Sequence, residues 1–125
     1  MNILTLINTA KIFNQFTQTK TTPKLAYKIM KFCKSAATEE EFYEAKRREI
    51  IEAYAIKDEN GQIAVTEDGM INIMPDKIAE ANAAMQELNN IEVDAPSVRF
   101  TLDELEGLEL SAVDMFALDA FIDEE

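Results

Sequence analysis

The sequence predicts a predominantly helical α+β protein, with four to five helices and a small antiparallel β-hairpin or three-stranded sheet. Two observations lead to this prediction. Long stretches carry apolar residues at helical spacing behind capping residues, and a short central tract alternates turn signals with four-residue apolar runs. At 125 residues, 47% of them hydrophobic, the chain is long enough for one domain with a sizeable core. We therefore expect residues 1–125 to form a single domain.

The first half of the chain predicts three helices. Residues 3–7 are expected to be extended or loop-like, followed by a short helix over about 9–18. The next helix has Thr22 as its N-cap and Pro23 at its first position, and the stretch KLAYKIMKFCK is amphipathic. A capping box formed by Thr38 and Glu41 predicts a new helix start. That helix should run to about Tyr54 and bury three side chains: Phe42, Ile50 and Tyr54.

The central tract predicts a hairpin. DENG and TEDG have turn chemistry, and QIAV (62–65) and MINI (70–73) are predicted strands joined by Thr66–Gly69. IEVDAPSVRF (91–100) is expected to be extended and could add a third strand. Between them, Pro75 opens another helix, whose apolar stripe consists of Ile78, Ala81, Met85 and Leu88.

The last segment, residues 101–125, is both acidic and apolar. From Leu102 onward it carries nine carboxylates and no Lys, Arg or His. Capping boxes predict a helix from Thr101 through Leu105, with Gly107 as a stop, and a further helix from Ser111 to about Ile122. The candidate partner-binding residues of this last helix are Val113, Met115, Phe116, Leu118, Phe121 and Ile122.

Those six residues surround more of the helix than one packing face needs. Two interpretations stay open. The helix docks deeply against the core with its final acids solvated, or it buries a second face in another chain, a copy of itself included.

Charge is distributed unevenly along the chain. The net charge is −12, but residues 1–34 sum to +6 and residues 58–125 to −16. Four lysines form a candidate charged face: Lys20, Lys24, Lys28 and Lys31. This face could contact phosphates, be solvated, or be neutralised by the acidic segment. Since neither Arg nor an aromatic platform is interleaved there, direct nucleic-acid binding is not expected.

The composition excludes much catalytic chemistry. The chain has no histidine, and its three glycines form no phosphate-binding loop. Calcium binding by an EF-hand is rejected, because Ile56 and Ala64 stand where the first ligands would be. The single Cys33 cannot form an internal disulfide and is expected to be a buried structural thiol in a reducing compartment. No cofactor, metal, catalytic residue, secretory leader or membrane span is expected.

Several short motifs resemble an uncharacterised family of small proteins encoded by phages and prophages, mostly of Gram-positive bacteria. The matching positions are Asn8, Lys11 and Ile12; Pro23, Tyr27, Lys28 and Ile29; Tyr54 with Lys57–Gly61; and Leu105–Ser111. Thr9 stands where the family has Gly, and Thr disfavours a left-handed turn there. The resemblance implies a viral accessory protein made late, alongside tail or lysis functions, with no established activity or catalytic residues.

Three classes of function compete. The leading hypothesis is a non-enzymatic phage accessory protein that binds another protein or itself, as a small virion- or tail-associated component or an assembly factor. It would act in the host cytoplasm or be incorporated in the virion. The alternative is an acidic inhibitor of a host nucleic-acid-binding or defence protein, with residues 58–125 imitating phosphates. An enzyme is the third class.

Overall fold

The computed structural model describes residues 1–123, and the predicted helix-rich α+β class is confirmed there. The described part contains five α-helices, two 3₁₀ turns and two short strands. The helices are α1 Ile3–Asn14, α2 Pro23–Tyr54, α3 Ile78–Asn89, α4 Leu102–Leu105 and α5 Ala112–Leu118. The 3₁₀ turns are Pro75–Lys77 and Asp119–Phe121, and the strands are β1 Phe100–Thr101 and β2 Ile122–Asp123.

The chain divides into two compact units. The first contains residues 1–40 and the chain from Glu92 onward, and the second contains Glu41–Ile91. That all 125 residues fold as one domain stays a prediction.

The core of the first unit is built around four phenylalanines. Phe13 stacks on Phe100 with ring centroids 4.7 Å apart, and it also meets Phe32 at 4.8 Å. Phe121 meets Phe32 edge-on at 4.9 Å. Aliphatic side chains from four helices and the loops between them surround these rings: Leu6, Ala10, Leu25, Ile29, Val98, Leu105, Leu108 and Leu118. The chain's first and last helices are therefore parts of one core.

The opening residues are helical, and the prediction that residues 3–7 are extended or loop-like is wrong. Asn2 caps α1, because its side-chain oxygen accepts a hydrogen bond from the Thr5 N–H at 2.8 Å. The buried positions of α1 follow the helical period and pin it against the core: Ile3, Leu6, Ile7, Ala10 and Phe13. Thr9 lies inside this helix, and its buried hydroxyl donates to the Thr5 carbonyl at 2.8 Å.

Helix α2 is continuous from Pro23 to Tyr54, so the predicted helix start at Thr38 is wrong. The N-terminal cap is confirmed, since Thr22 Oγ1 accepts a hydrogen bond from the Leu25 N–H at 3.3 Å. Residues 34–41 contain neither Pro nor Gly, and nothing in their chemistry stops a helix that is already propagating. A capping-box pattern marks a start only where the preceding residue leaves the helix.

In the second unit the buried face of α2 is centred on Tyr43 and not on Phe42. Tyr43 is buried, and its hydroxyl donates to Asn89 Oδ1 of α3 at 2.7 Å, whereas Phe42 is 38% exposed. Ile50 and Tyr54 are half-buried. On α3 the predicted stripe is buried at Ala81 and Leu88 and half-buried at Met85, while Ile78 in the first turn is 48% exposed.

The predicted hairpin strands at 62–65 and 70–73 are absent. The region makes isolated antiparallel bridges instead, such as Val65 with Ile71. The turns are nevertheless where expected: Gly61 and Gly69 have φ of 77° and 79°, the left-handed region that glycine favours. Val65 is 59% exposed and Met70 62%, so no buried face holds the runs in a continuous ladder.

The sheet lies elsewhere and is parallel. Phe100 pairs with Ile122 and Thr101 with Asp123. Of residues 91–100, which were predicted to be extended, only Phe100 belongs to a strand, and it pairs with the end of the described chain and not with the central tract. The pairing follows from the core, because Phe100 and Phe121 are both buried in the phenylalanine cluster.

Candidate protein-binding surface

Both capping boxes of the acidic segment are present. At α4, the Glu104 N–H donates to Thr101 Oγ1 at 3.2 Å and the Thr101 N–H donates to Glu104 Oε1 at 2.9 Å. At α5, the Asp114 N–H donates to Ser111 Oγ and the Ser111 N–H to Asp114 Oδ2, each at 3.1 Å. α5 ends at Leu118 and not near Ile122, because the chain tightens into a 3₁₀ turn before entering β2. The last two residues of the predicted 101–125 segment lie outside the described part.

The six candidate partner-binding residues divide into three pairs. Leu118 and Phe121 are 0% and 2% exposed and belong to the core. Val113 and Phe116 are 76% and 83% exposed. The remaining two, Met115 and Ile122, are half-buried. One side of the segment therefore packs in the core, and the other side is exposed to solvent.

The exposed side of α5 forms a continuous surface, which we call the α5 face. It consists of five exposed residues of α5 and of the 3₁₀ turn that follows it: Ala112, Val113, Phe116, Asp119 and Ala120. A shallow depression of about 490 Å³ lies beside Phe116, between Ala112, Met115 and Asp119. Asp119 is the one charge on this face, so the surface is apolar with an acidic edge.

The position of the α5 face is determined by the buried side of the same segment. Leu118 and Phe121 anchor the helix in the core, and Arg99 holds the turn that follows it. The Arg99 guanidinium donates to the Ala120 carbonyl at 2.6 Å and to Asp123 Oδ1 at 2.9 Å. Because these contacts already fix the backbone of α5, a partner that covers Phe116 has to immobilise little more than the side chain itself.

The lysine row is only partly brought together. Lys24, Lys28 and Lys31 share one side of α2, whereas Lys20 precedes the helix and is exposed. Lys28 forms an ion pair with Glu104 at 2.8 Å, which also places its ammonium 5.8 Å from the centroid of the Phe100 ring. The interpretation that the acidic segment neutralises this face is therefore correct for Lys28.

Glu104 is the acidic partner in that pair. Burial raises the pKa of its carboxyl, but hydrogen bonds from Lys28 and Thr101 outweigh burial, and the net shift lowers the pKa below its usual 4.5. Its side chain is 13% exposed, and Oε2 has no hydrogen-bond partner among the described residues. This carboxylate is held by structural contacts that connect α4 to α2.

Two residues that the sequence interpretation left out join the lysine side of α2. Tyr27 is 54% exposed between Lys24 and Lys31, and Arg99 approaches from the segment before β1. Tyr27 follows Lys24 by three residues, a helical spacing that identifies it as a neighbour of the lysines from the sequence alone. No local pattern could have placed Arg99 there, because it is brought by tertiary packing.

The other candidate chemistry is sparse. Cys33 is half-buried; burial raises the pKa of its thiol above the usual 9.0, and the charge of Glu40 adds to this. Within residues 1–123, no three His, Cys, Asp or Glu side chains are grouped so as to hold a metal ion. No helix in this part of the chain combines the length and apolarity required to cross a bilayer.

Fold and surface together define a small helix-rich α+β protein with an exposed apolar helix face. No family model, curated protein or solved structure matches the chain.

Proposed function

We propose that this protein acts without catalysis, by binding another protein molecule, a second copy of itself included, through the α5 face. The observation that carries the proposal is the contrast between Phe116, 83% exposed, and Phe121, 2% exposed, on one short segment. Leaving a large apolar side chain in water forgoes about 1.5–3 kcal/mol of burial free energy. Aromatic anchors of this kind dominate binding energy at protein interfaces.

The wider surroundings of Phe116 support the same conclusion. Val113 and two alanines extend the apolar area, and depletion of charge at its centre is typical of interface cores. Exposed carboxylates lie nearby in sequence, including Glu109 and Asp119. Charges around an apolar centre favour solubility of the free protein and discriminate between partners.

The biological role we propose follows the resemblance to phage and prophage proteins. The protein would be a small virion- or tail-associated component or an assembly factor, made in the host cytoplasm and in some cases incorporated in the particle. A non-enzymatic role is supported by the lack of histidine in the sequence and by the structural contacts that occupy Glu104.

The alternative role is that of an acidic inhibitor of a host nucleic-acid-binding or defence protein. It is favoured by the exposure of three carboxylates between β1 and α5: Asp103, Glu106 and Glu109. A complex held by such charges would dissociate as salt rises, because the Debye length falls to about 3 Å at 1 M. A complex held by burial of the α5 face would survive.

The test is site-specific photocrosslinking. A benzoylphenylalanine replaces Phe116 in one variant and Met70, which is 62% exposed in the second unit, in a matched control. We expect a discrete protein adduct from position 116 and none from position 70. The purified adduct partner should then bind the unmodified chain, and Val113→Ser with Phe116→Ser should weaken that binding roughly thirtyfold or more. Equal labelling from both positions, or no adduct from position 116, would contradict the proposal.

A further inference from the structure

The first unit carries a second surface that complements the α5 face. The N-terminal turns of α2 and residues 97–99 before β1 line an open groove of about 690 Å³, which we call the basic groove. Its lining includes Lys24, Tyr27, Lys28, Lys31, Val98 and Arg99. The groove therefore combines a cationic rim with the exposed Tyr27 ring, while Val98 belongs largely to the core.

The cations of the basic groove are not equally available. Lys28 is paired with Glu104, and Arg99 is occupied by Asp123 and two backbone carbonyls. In the described part of the chain, Lys24 and Lys31 form no ion pair, and both are exposed. Seven residues separate them, which corresponds to about 10 Å along the helix. Two unpaired cations about 10 Å apart favour a ligand whose negative charge lies within a similarly short distance.

The α5 face offers a complementary charge and an aromatic anchor. Phe116 lies within α5, and Asp119 begins the 3₁₀ turn that follows the helix. Asp119 supplies a negative charge beside the aromatic ring. An amphipathic helix that places an aromatic anchor in a groove is a common mode of recognition.

We propose that the basic groove of one copy of this chain binds the α5 face of a second copy, an inference that rests on the proposed function. Within one copy the face does not fill the groove, because Val113 and Phe116 are 76% and 83% exposed. The apolar centre of the contact buries Phe116 near Tyr27 and Val98, and the edge pairs Asp119 with Lys24 or Lys31.

The contact joins two unlike surfaces, and each chain carries one of each. Such heterologous contacts close into a reciprocal pair or a ring, or continue as a filament. The net charge of −12 opposes the approach of two copies, so moderate salt should favour association before high salt weakens the ion pairs. Burial of Phe116 keeps most of the contact intact at about 1 M salt.

The experiment measures solution mass by light scattering over a range of protein concentrations, with folding verified by circular dichroism. Phe116→Ser should weaken self-association roughly thirtyfold or more. Lys24→Glu with Lys31→Glu should weaken it roughly tenfold, because two pairing partners become repulsive. The matched control is Lys20→Glu with Lys34→Glu, which changes the net charge equally outside the groove and should weaken association by less than about threefold.

The decisive experiment mixes the lysine variant with the Phe116→Ser variant. The lysine variant retains its α5 face and the Phe116→Ser variant retains its groove. At a protein concentration at which each variant alone is monomeric, an equal mixture should therefore form a two-chain complex. A monomeric wild-type chain would overturn the inference, as would a mixture no larger than its parts. If position 116 crosslinks only to a different protein, the proposed function stands and this inference fails. If a single-stranded oligonucleotide binds the groove and the lysine variant still self-associates, the groove is an anion site and the inference also fails.

Discussion

Phe116 and Phe121 lie five residues apart in one acidic segment, and their replacement by alanine should have very unequal consequences for stability. Phe121 is 2% exposed and meets the Phe32 ring edge-on at 4.9 Å. Phe116 is 83% exposed, on the other side of the same segment. The pair therefore compares one chemical change in two environments.

The expected magnitudes follow from burial. Removing a buried phenylalanine side chain forfeits its transfer free energy and leaves a cavity, so Phe121→Ala should lower the free energy of unfolding by about 3–5 kcal/mol. That loss is a large share of the 5–15 kcal/mol typical of a domain. Phe116→Ala removes little packing and should change stability by no more than about 0.5 kcal/mol.

Urea unfolding followed by far-ultraviolet circular dichroism measures both effects. The midpoint should fall for Phe121→Ala at a nearly unchanged slope, since the surface exposed on unfolding is almost the same. A comparable loss for Phe116→Ala would refute the placement of its ring in solvent. A loss below about 1 kcal/mol for Phe121→Ala would refute its place in the core.

Three further predictions test other parts of the chain. Glu39 lies inside the continuous helix α2, so Glu39→Pro should lower the free energy of unfolding, measured in urea, by about 3 kcal/mol or more. A near-neutral effect would instead support a helix start at Thr38. Glu104→Gln should lower the free energy of unfolding by about 1.5–3 kcal/mol at pH 7. Because the folded pKa of Glu104 is lowered, its contribution is present above pH 4.5 and is lost as the pH falls through the lowered value. Urea titrations from neutral to acidic pH should show wild type and variant converging, and a constant difference would contradict this. Cys33, whose pKa burial raises, should react with iodoacetamide more slowly in the folded chain than in urea, and a faster reaction would contradict the assignment.

The features that the sequence predicted correctly are local. The caps at Thr22, Thr101 and Ser111 use hydrogen bonds that span three residues, so side-chain chemistry and spacing suffice to identify them. The glycine turns at Gly61 and Gly69 are identifiable for the same reason.

Local patterns failed where two conformations were both allowed. The opening residues satisfy an extended as well as a helical pattern, and packing of Leu6 and Phe13 in the core selects the helix. Thr38 and Glu41 have the spacing of a capping box, but they lie inside a continuous helix. The central apolar runs have strand character, but exposure of Val65 and Met70 leaves them without a face to bury.

The sequence and the tertiary structure each determined one part of the candidate surface. The sequence by itself showed that the last helix is apolar on more than one side and that its neighbours are acids. Only the tertiary structure decided which side is core, because that depends on which residues reach Phe32 and Phe100 across most of the chain. The same long-range packing brings Arg99 beside the α2 lysines and pairs Lys28 with Glu104, 76 residues away. Contacts at that separation depend on how buried surfaces fit together, and no spacing within a helix encodes them.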